Sequence, residues 1–296
     1  MARDLSRLSP AQRVERSIQK KYRDTLWGPF IAGIRDYRLL SPGDRVCVCI
    51  SGGKDSMLLA KLMQLLQRRS DFPFEVRYLV MDPGYTPENR QRILDNAALL
   101  GLEVTIRDSQ IFRAVSGVER NPCYLCARMR RGYLYKFARE LGCNKIALGH
   151  HFSDVVETTL MGLLYGAQFQ TMMPKLHSKN YPGMELIRPM YRVHEEDILS
   201  WARCNGLTFL QCACRFTEQS ETAGRESLSK RKETKALLQE LRKTNPDVEK
   251  HIFAAIHSVN LDTLPGWKRG GEAHSFLEGY DARGAAALPE DGGWEV

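Results

Sequence analysis

The chain has 296 residues, 43% of them hydrophobic and 26% charged, with a formal net charge of +8. That length buries a real core in one large or two modest domains, and no apolar run approaches the roughly 20 residues of a membrane helix. The first 40 residues are charged throughout and lack the apolar stretch of a secretory signal, so a cytoplasmic protein is expected. The basic balance suits a polyanionic partner, and equally suits mere solubility.

Ala11 to Leu26 reads as a basic amphipathic helix. Gly28-Pro29 should interrupt it, and Phe30 to Tyr37 should resume as helix. Residues 1–40 are therefore expected to form an N-terminal helical arm. Arg45 to Ile50 is a short apolar run ending at Ser51-Gly52-Gly53, the pattern of a buried strand feeding a glycine loop. Met57 to Arg68 follows as helix, Phe74 to Met81 as strand, Asn89 to Leu100 as helix and Glu103 to Arg107 as strand. Pro122 to Leu141 is a helix, Lys145 to Leu148 a strand and Ser153 to Tyr165 a helix. Strands alternating with helices imply an α/β fold with a Rossmann-like parallel sheet covered on both faces. Ligands in such sheets sit beyond the carboxyl ends of the strands. Lys175 to Met190 reads as irregular, Glu195 to Cys204 as helix and Thr208 to Gln211 as a short strand. Leu228 to Arg242 and Val248 to Leu261 read as closing helices of a main domain spanning 41–265. Residues 266–296 are rich in Gly, Ala and charge, and a disordered tail is expected.

Ser51-Gly52-Gly53-Lys54-Asp55-Ser56 lies between strand and helix. The glycines permit a tight turn close to an anion, and N–H groups at the helix start face phosphate. Lys54 adds charge, Ser51 and Ser56 add hydroxyls, and Asp55 suits Mg²⁺. The Walker spacing is absent. A second signature, Leu148-Gly149-His150-His151-Phe152-Ser153-Asp154, again follows a strand and opens a helix, with Ser153 as the expected N-cap. Asp154 and Glu157 add carboxylates near the same strand ends. His151 suits proton transfer or phosphate contact, and the residues leave its role open.

Eight cysteines without a secretory signal point to metal or thiol chemistry. Asn121-Pro122 opens the helix bearing Cys123 and Cys126, whose i,i+3 spacing puts both on one face. The helix start and the following Arg128, Arg130 and Arg131 favour thiolates. A zinc half-site and a redox pair both remain open for such a C-x-x-C. Cys212 and Cys214 are further candidates, while Cys47, Cys49, Cys143 and Cys204 read as structural. The basic segments Arg13–Lys21, Arg128–Arg131 and Lys230–Lys235 are candidate RNA contacts, and Tyr133, Tyr165 and Phe169 candidate stacking platforms.

Ser-Gly-Gly-Lys-Asp-Ser resembles the signature of the PP-loop ATP pyrophosphatases, whose fold is that of the adenine nucleotide alpha hydrolases. Together with Pro-Cys-x-x-Cys-Ala-Arg-x-Arg-Arg-Gly and Gly-His-His-x-x-Asp, it is similar to the tRNA 2-thiocytidine synthetase family (TtcA), from about Leu26 to Leu261. The resemblance implies ATP at Ser51 to Ser56, with Met81, Gly149 and His150 bordering the nucleotide. It implies Mg²⁺ at Asp55 and Asp154, with Asp55, Cys123, Cys126 and Asp154 as catalytic residues. It further implies a [4Fe–4S] cluster on Cys123, Cys126 and a third cysteine. Cys212 is the ungapped match for that third ligand, and Cys214 its rival because Cys-Ala-Cys replaces the usual Cys-x-x-Cys. The implied reaction adenylates the C2 oxygen of cytidine 32 in tRNA and replaces it with sulfur from an outside donor of the cysteine desulfurase type, in a homodimer. Two rivals stand beside it. A PP-loop thiouridine synthetase usually adds C-x-x-C pairs near both ends, whereas the cysteines here run from Cys47 to Cys214. An iron–sulfur redox sensor would bind nucleotide without modifying RNA.

Overall fold

The computed structural model describes residues 8–115, 118, 122–210 and 226–280. Helix α1 (Pro10–Gln19) begins with a capping box: the Ser9 hydroxyl accepts from Gln12 N, and the Gln12 side chain accepts from Ser9 N. A π-helical turn, Arg23–Trp27, runs directly into α2 (Gly28–Asp36). The interruption expected at Gly28-Pro29 does not occur. Pro29 lies in the first turn of α2, where its missing N–H and fixed φ disturb little.

Then come β1 (Arg45–Ile50), α3 (Lys54–Gln67), β2 (Glu75–Asp82), α4 (Pro87–Leu100) and β3 (Val104–Asp108). They are followed by α5 (Ile111–Val115), α6 (Pro122–Glu140), β4 (Lys145–Ala147) and α7 (Phe152–Gly166). The segment expected to be irregular carries two short strands, β5 (Lys175–His177) and β6 (Glu185–Ile187), each too brief to show a period. The sheet order is β3-β2-β1-β4-β6-β5. All neighbours are parallel except the edge strand β5, which runs antiparallel to β6. The parallel sheet is thus confirmed, with one antiparallel edge added.

Side-chain alternation along β1 divides the core. Val46, Val48 and Ile50 face one cluster, with residues of α1, α2, α3, α4 and α8 (Glu195–Cys204). Cys47 and Cys49 face the other, with Ile111 of α5 and Tyr135, Phe137 and Ala138 of α6. Helices therefore cover both faces, which is what a parallel sheet requires. The N-terminal helical arm packs against the sheet. Val14, Ile18, Tyr22, Leu26 and Phe30 are buried in the first cluster, and Glu15 pairs at 2.7 Å with the buried ammonium of Lys61. Lys61 also donates to Leu100 O and Gln64, so its charge is fully partnered inside the fold.

Thr208 to Leu210 is not a strand. Thr208 O accepts from Asn96, and Leu210 N donates to Gly52 O at 3.2 Å, so this stretch braces the glycine loop. Gln211 lies outside the described residues. Helix α9 (Glu226–Thr244) follows, then α10 (Val248–Ala255), shorter than expected. The chain divides into two compact units between Glu249 and Lys250. The expected tail begins instead with a hairpin, β7 (Gly266–Arg269) and β8 (Glu272–Ser275). Gly270-Gly271 supplies its two-residue turn, and Trp267 stacks on His274 at 5.6 Å. Among the described residues no helix is long and apolar enough to cross a membrane.

Candidate active site

The loop Ser51–Ser56 sits at the carboxyl end of β1, the strand between β2 and β4. Gly52 adopts φ +85°, and a Cβ there would lie 2.7 Å from Ile93 Cγ1, so both turn and space demand glycine. The loop is tied internally: Ser51 N donates to Ser56 Oγ at 3.1 Å, and Ser56 Oγ donates to Gly53 O at 3.0 Å. Gly53 is the N-cap of α3 and offers no side chain to its N–H groups. The positive end of the helix is thereby left for an anion. Lys54 Nζ lies 3.1 Å from Asp55 and 3.1 Å from Glu195 Oε1. Burial alone would lower the Lys54 pKa, but the two carboxylates outweigh it and hold it above its ordinary value.

The second signature closes on this loop. A Cβ on Gly149 would stand 3.0 Å from the Asp55 carbonyl carbon and 3.0 Å from Ser56 N, so only glycine lets the two backbones meet. Gly149→Ala is therefore expected to push the loops apart, costing about 1–3 kcal/mol of stability and weakening ATP binding. Denaturant titration and ATP titration of the variant check this; unchanged values in both would show the contact to be slack. The N-cap of α7 is His151, not Ser153. Its Nδ1 accepts from Asp154 N, and Asp154 Oδ2 accepts from His151 N at 3.1 Å. Ser153 is buried instead, with its Oγ 3.4 Å from Glu195 N. His151 Nε2 lies 3.7 Å from Asp55 Oδ1 and 3.4 Å from Asp154 Oδ2, linking the two expected metal carboxylates.

Burial, reinforced by the Arg188 guanidinium, holds His150 down to about 4 from an ordinary 6.5. Arg188 Nε donates to His150 Nδ1 at 3.3 Å, which needs the neutral ring. The folded state thus prefers neutral His150. Its contribution to stability is whole above pH 6.5 and is lost as pH falls toward 4. Denaturant midpoints should drop across that window, and His150→Gln should flatten the drop. An unaltered slope in the variant would assign the drop to other groups.

Two cavities flank the loop. The smaller, about 390 Å³, has an apolar floor of Cys49, Ile50, Met81 and Leu148, with Asp55, Gly149, His150 and Asp154 on its walls. The larger, about 690 Å³, is lined by Gly53, Lys54, Glu195, Arg203 and Phe209 among others. Ser51, Asp55 and Arg130 line both. The structure thus brings Ser51, Asp55, Ser56, Met81, Gly149, His150 and Asp154 together around one cavity, with Gly53 and Lys54 facing its neighbour. Gly52 points away, toward Ile93 and Leu210.

Asp55 Oδ1 is shut from water, 3.1 Å from the Lys54 ammonium and 3.7 Å from His151 Nε2. Asp55 and Asp154 converge on His151 Nε2 beside the phosphate loop, and paired carboxylates are the hard oxygen donors that a divalent metal takes. Cys126 is half-buried on α6, against the cluster that holds Cys49 and Met81. Tyr85, whose hydroxyl donates to Ser51 O at 3.3 Å, feels both Cys126 and Arg130, while burial raises its pKa. A sulfur donor one helical turn before Arg130, beside the phosphate loop, fits one ligand of an iron–sulfur cluster. The Cys123 side chain and all of Cys212 and Cys214 lie outside the described residues. Cys47 and Cys143 are buried as expected; the Cys47 thiol and burial push Cys143 well above its ordinary pKa. Cys204 is not buried. It is exposed, 3.1 Å from Lys21 Nζ, which lowers its pKa.

The basic stretch of α9 is only partly a solvated face. Arg231 Nη1 lies 3.1 Å from Asp154 and 3.7 Å from Glu157, Lys235 Nζ lies 2.5 Å from Glu195, and Lys230 sits over the Tyr165 ring. Tyr133 packs on Phe137, whereas Phe169 is exposed. Sequence reasoning missed Glu195 and Tyr85. Glu195 reads there as an ordinary acidic residue in a first helical turn, and only its nearness to Lys54 distinguishes it.

A glycine turn after a central parallel strand, an uncapped helix start and a Lys-Asp-Ser run define a nucleotide-binding α/β enzyme of the PP-loop class. The PP-loop domain family matches residues 11–219. The tRNA-cytidine(32) 2-sulfurtransferase of Coxiella burnetii is 34% identical over 235 residues, 78% of this chain and 88% of that protein. Its counterpart in Alkalilimnicola ehrlichii is 37% identical over 237 residues, 78% and 72% of the two chains. The U34-tRNA thiolase NcsA of Methanococcus maripaludis, solved with its [4Fe-4S] cluster, shares the fold: TM-score 0.60 at 20% identity, over 83% of this chain and 84% of that one. The chain belongs to the PP-loop family, within the tRNA-cytidine(32) 2-sulfurtransferases.

Proposed function

We propose that the chain is an ATP-dependent tRNA sulfurtransferase that converts cytidine 32 to 2-thiocytidine. The observation that carries this reading is the meeting of the phosphate loop with the cysteine-bearing helix. Arg130, one turn after Cys126, lines both cavities that flank Ser51 and Asp55. Adenosine fits the smaller cavity, against Ile50, Met81 and Leu148. The polyphosphate then lies along Ser51 to Ser56, held by the α3 N-terminus, the two hydroxyls and Lys54. A divalent cation, when bound by Asp55 and Asp154, neutralises phosphate charge. The cytidine C2 oxygen attacks the α-phosphorus, and pyrophosphate leaves. Arg130 faces the charge that builds on the α-phosphate, and its Nε is buried with no hydrogen-bond partner of its own. Attack by sulfur at C2 then expels AMP, which is a far better leaving group than the original oxygen.

Cys123, Cys126 and one of Cys212 or Cys214 would hold a [4Fe–4S] cluster, which supplies a site for carrying the sulfur atom. An external donor of the cysteine desulfurase type, a homodimer and a cytoplasmic location accompany this reading. The test is an anaerobic reaction of iron-reconstituted protein with tRNA, ATP, Mg²⁺ and sulfide, followed by mass spectrometry of the nucleosides. ATP-dependent 2-thiocytidine is expected. Thiouridine would move the assignment to another base, and no thionucleoside would overturn it.

A further inference from the structure

Glu195 belongs to none of the signatures that define the nucleotide site, yet three parts of that site converge on it. It opens α8, behind the irregular turn that follows β6. One carboxylate oxygen lies 3.1 Å from Lys54 Nζ of the phosphate loop. The other lies 2.5 Å from Lys235 Nζ of α9. Its backbone N–H is 3.4 Å from Ser153 Oγ, on the helix that carries Asp154. The side chain is 18% exposed and forms part of the wall of the larger cavity, next to Lys54.

Lysine is a compact charge on a long flexible stem, and an unheld ammonium samples many rotamers. Lys54 has one neighbour in its own loop, Asp55, whose carboxylate also suits a metal. A second carboxylate from outside the loop fixes where the ammonium stands when that metal draws on Asp55. A negative group beside a polyphosphate is unfavourable unless a cation shares its charge, and Lys235 does so here.

We propose that Glu195 is a positioning residue for ATP activation, holding Lys54 against the phosphate loop while Lys235 balances its charge. This rests on the reading of Ser51 to Ser56 as the ATP site and of tRNA as acceptor. The role differs from a bulk electrostatic one. Removing a carboxylate that merely repelled ATP would tighten ATP binding and leave turnover intact. Removing one that positions Lys54 lowers turnover and does not tighten ATP binding.

The experiment compares Glu195→Gln, Glu195→Asp and the wild-type full chain. It measures tRNA-dependent pyrophosphate release, ATP affinity, thermal midpoint and the acylation rate of Lys54 by an amine reagent, read by mass spectrometry. Both variants should lose about tenfold or more in turnover, the scale of one displaced charge-assisted contact, with ATP affinity not tightened and Lys54 acylated faster. Glu195→Asp is decisive, because it keeps the charge and withdraws it by one methylene. Full activity in Glu195→Asp, or a lowered thermal midpoint with normal turnover, overturns the proposal. If wild-type protein binds ATP but releases no pyrophosphate with tRNA, the acceptor assignment fails, and Lys54 acylation still decides the contact. An acylation rate unchanged in both variants overturns the proposal whatever the acceptor.

Discussion

Asp55→Asn should abolish tRNA-dependent pyrophosphate release, by about a thousandfold or more, while the protein stays folded and monodisperse. Asp55 Oδ1 is shut from water, and its ion-pair partner is Lys54 at 3.1 Å. When Asp55 is replaced, Lys54 keeps its second carboxylate partner, Glu195 at 3.1 Å. Replacing the carboxylate with an amide of the same shape therefore costs the fold little. The loss falls on catalysis, because an amide cannot neutralise phosphate charge through a hard divalent cation. His151 sharpens the expectation. Nδ1 accepts from Asp154 N, and Nε2 faces both Asp55 and Asp154. Both carboxylates thus converge on one ring nitrogen. Mg²⁺ titration of pyrophosphate release in wild type and Asp55→Asn is the measurement. Residual activity above a tenth of wild type at saturating Mg²⁺ would remove Asp55 from the metal role.

How far the sequence could be read depended on the range of the signal. Ser51 to Ser56 and Gly149 to Asp154 are local patterns, each a strand end plus a helix start, and the structure sets them face to face. Their close approach also explains Gly149, whose absent side chain is filled by the Asp55 backbone. The β-α alternation fixed the sheet in the same way. Errors arose where short-range rules met tertiary context. Pro29 broke nothing, because a first helical turn needs no donor at that position. β5 and β6, three residues each, exist through their neighbours in the sheet rather than through any pattern of their own. Ser153 seemed the natural cap, but it is buried, and an imidazole nitrogen took its place. Glu195 and its pairing with the α9 cations were illegible in kind. Lys54 and Glu195 are 141 positions apart, and Lys235 another 40, so no spacing rule relates them. The same holds for the N-terminal helices. The basic face of the arm is legible in the sequence, while the packing of its apolar face into the core is not.

Cys126→Ala should reduce thionucleoside formation to background and remove iron–sulfur absorbance, while ATP affinity changes by less than about threefold. Cys126 borders the nucleotide site without lining the smaller cavity, and its nearest link to the loop runs through Tyr85 and Arg130. Alanine there deletes a metal ligand and leaves the phosphate cradle whole. Cys143→Ala is the matched control. Its thiol is buried and held well above the range of a reactive thiolate, so the substitution should spare both iron and thiolation. Cys123→Ala should behave as Cys126→Ala does, since both sit on one helix three positions apart. The pair Cys212→Ala and Cys214→Ala then separates the third ligand, because only one of the two should lose iron. Iron content, the visible spectrum, ATP titration and nucleoside mass spectrometry on the same preparations give the result. Loss of ATP binding in Cys126→Ala, with iron retained, would make the cysteine a structural part of the nucleotide site. Retention of thiolation in Cys123→Ala and Cys126→Ala alike would require sulfur to reach C2 without a cluster on this helix.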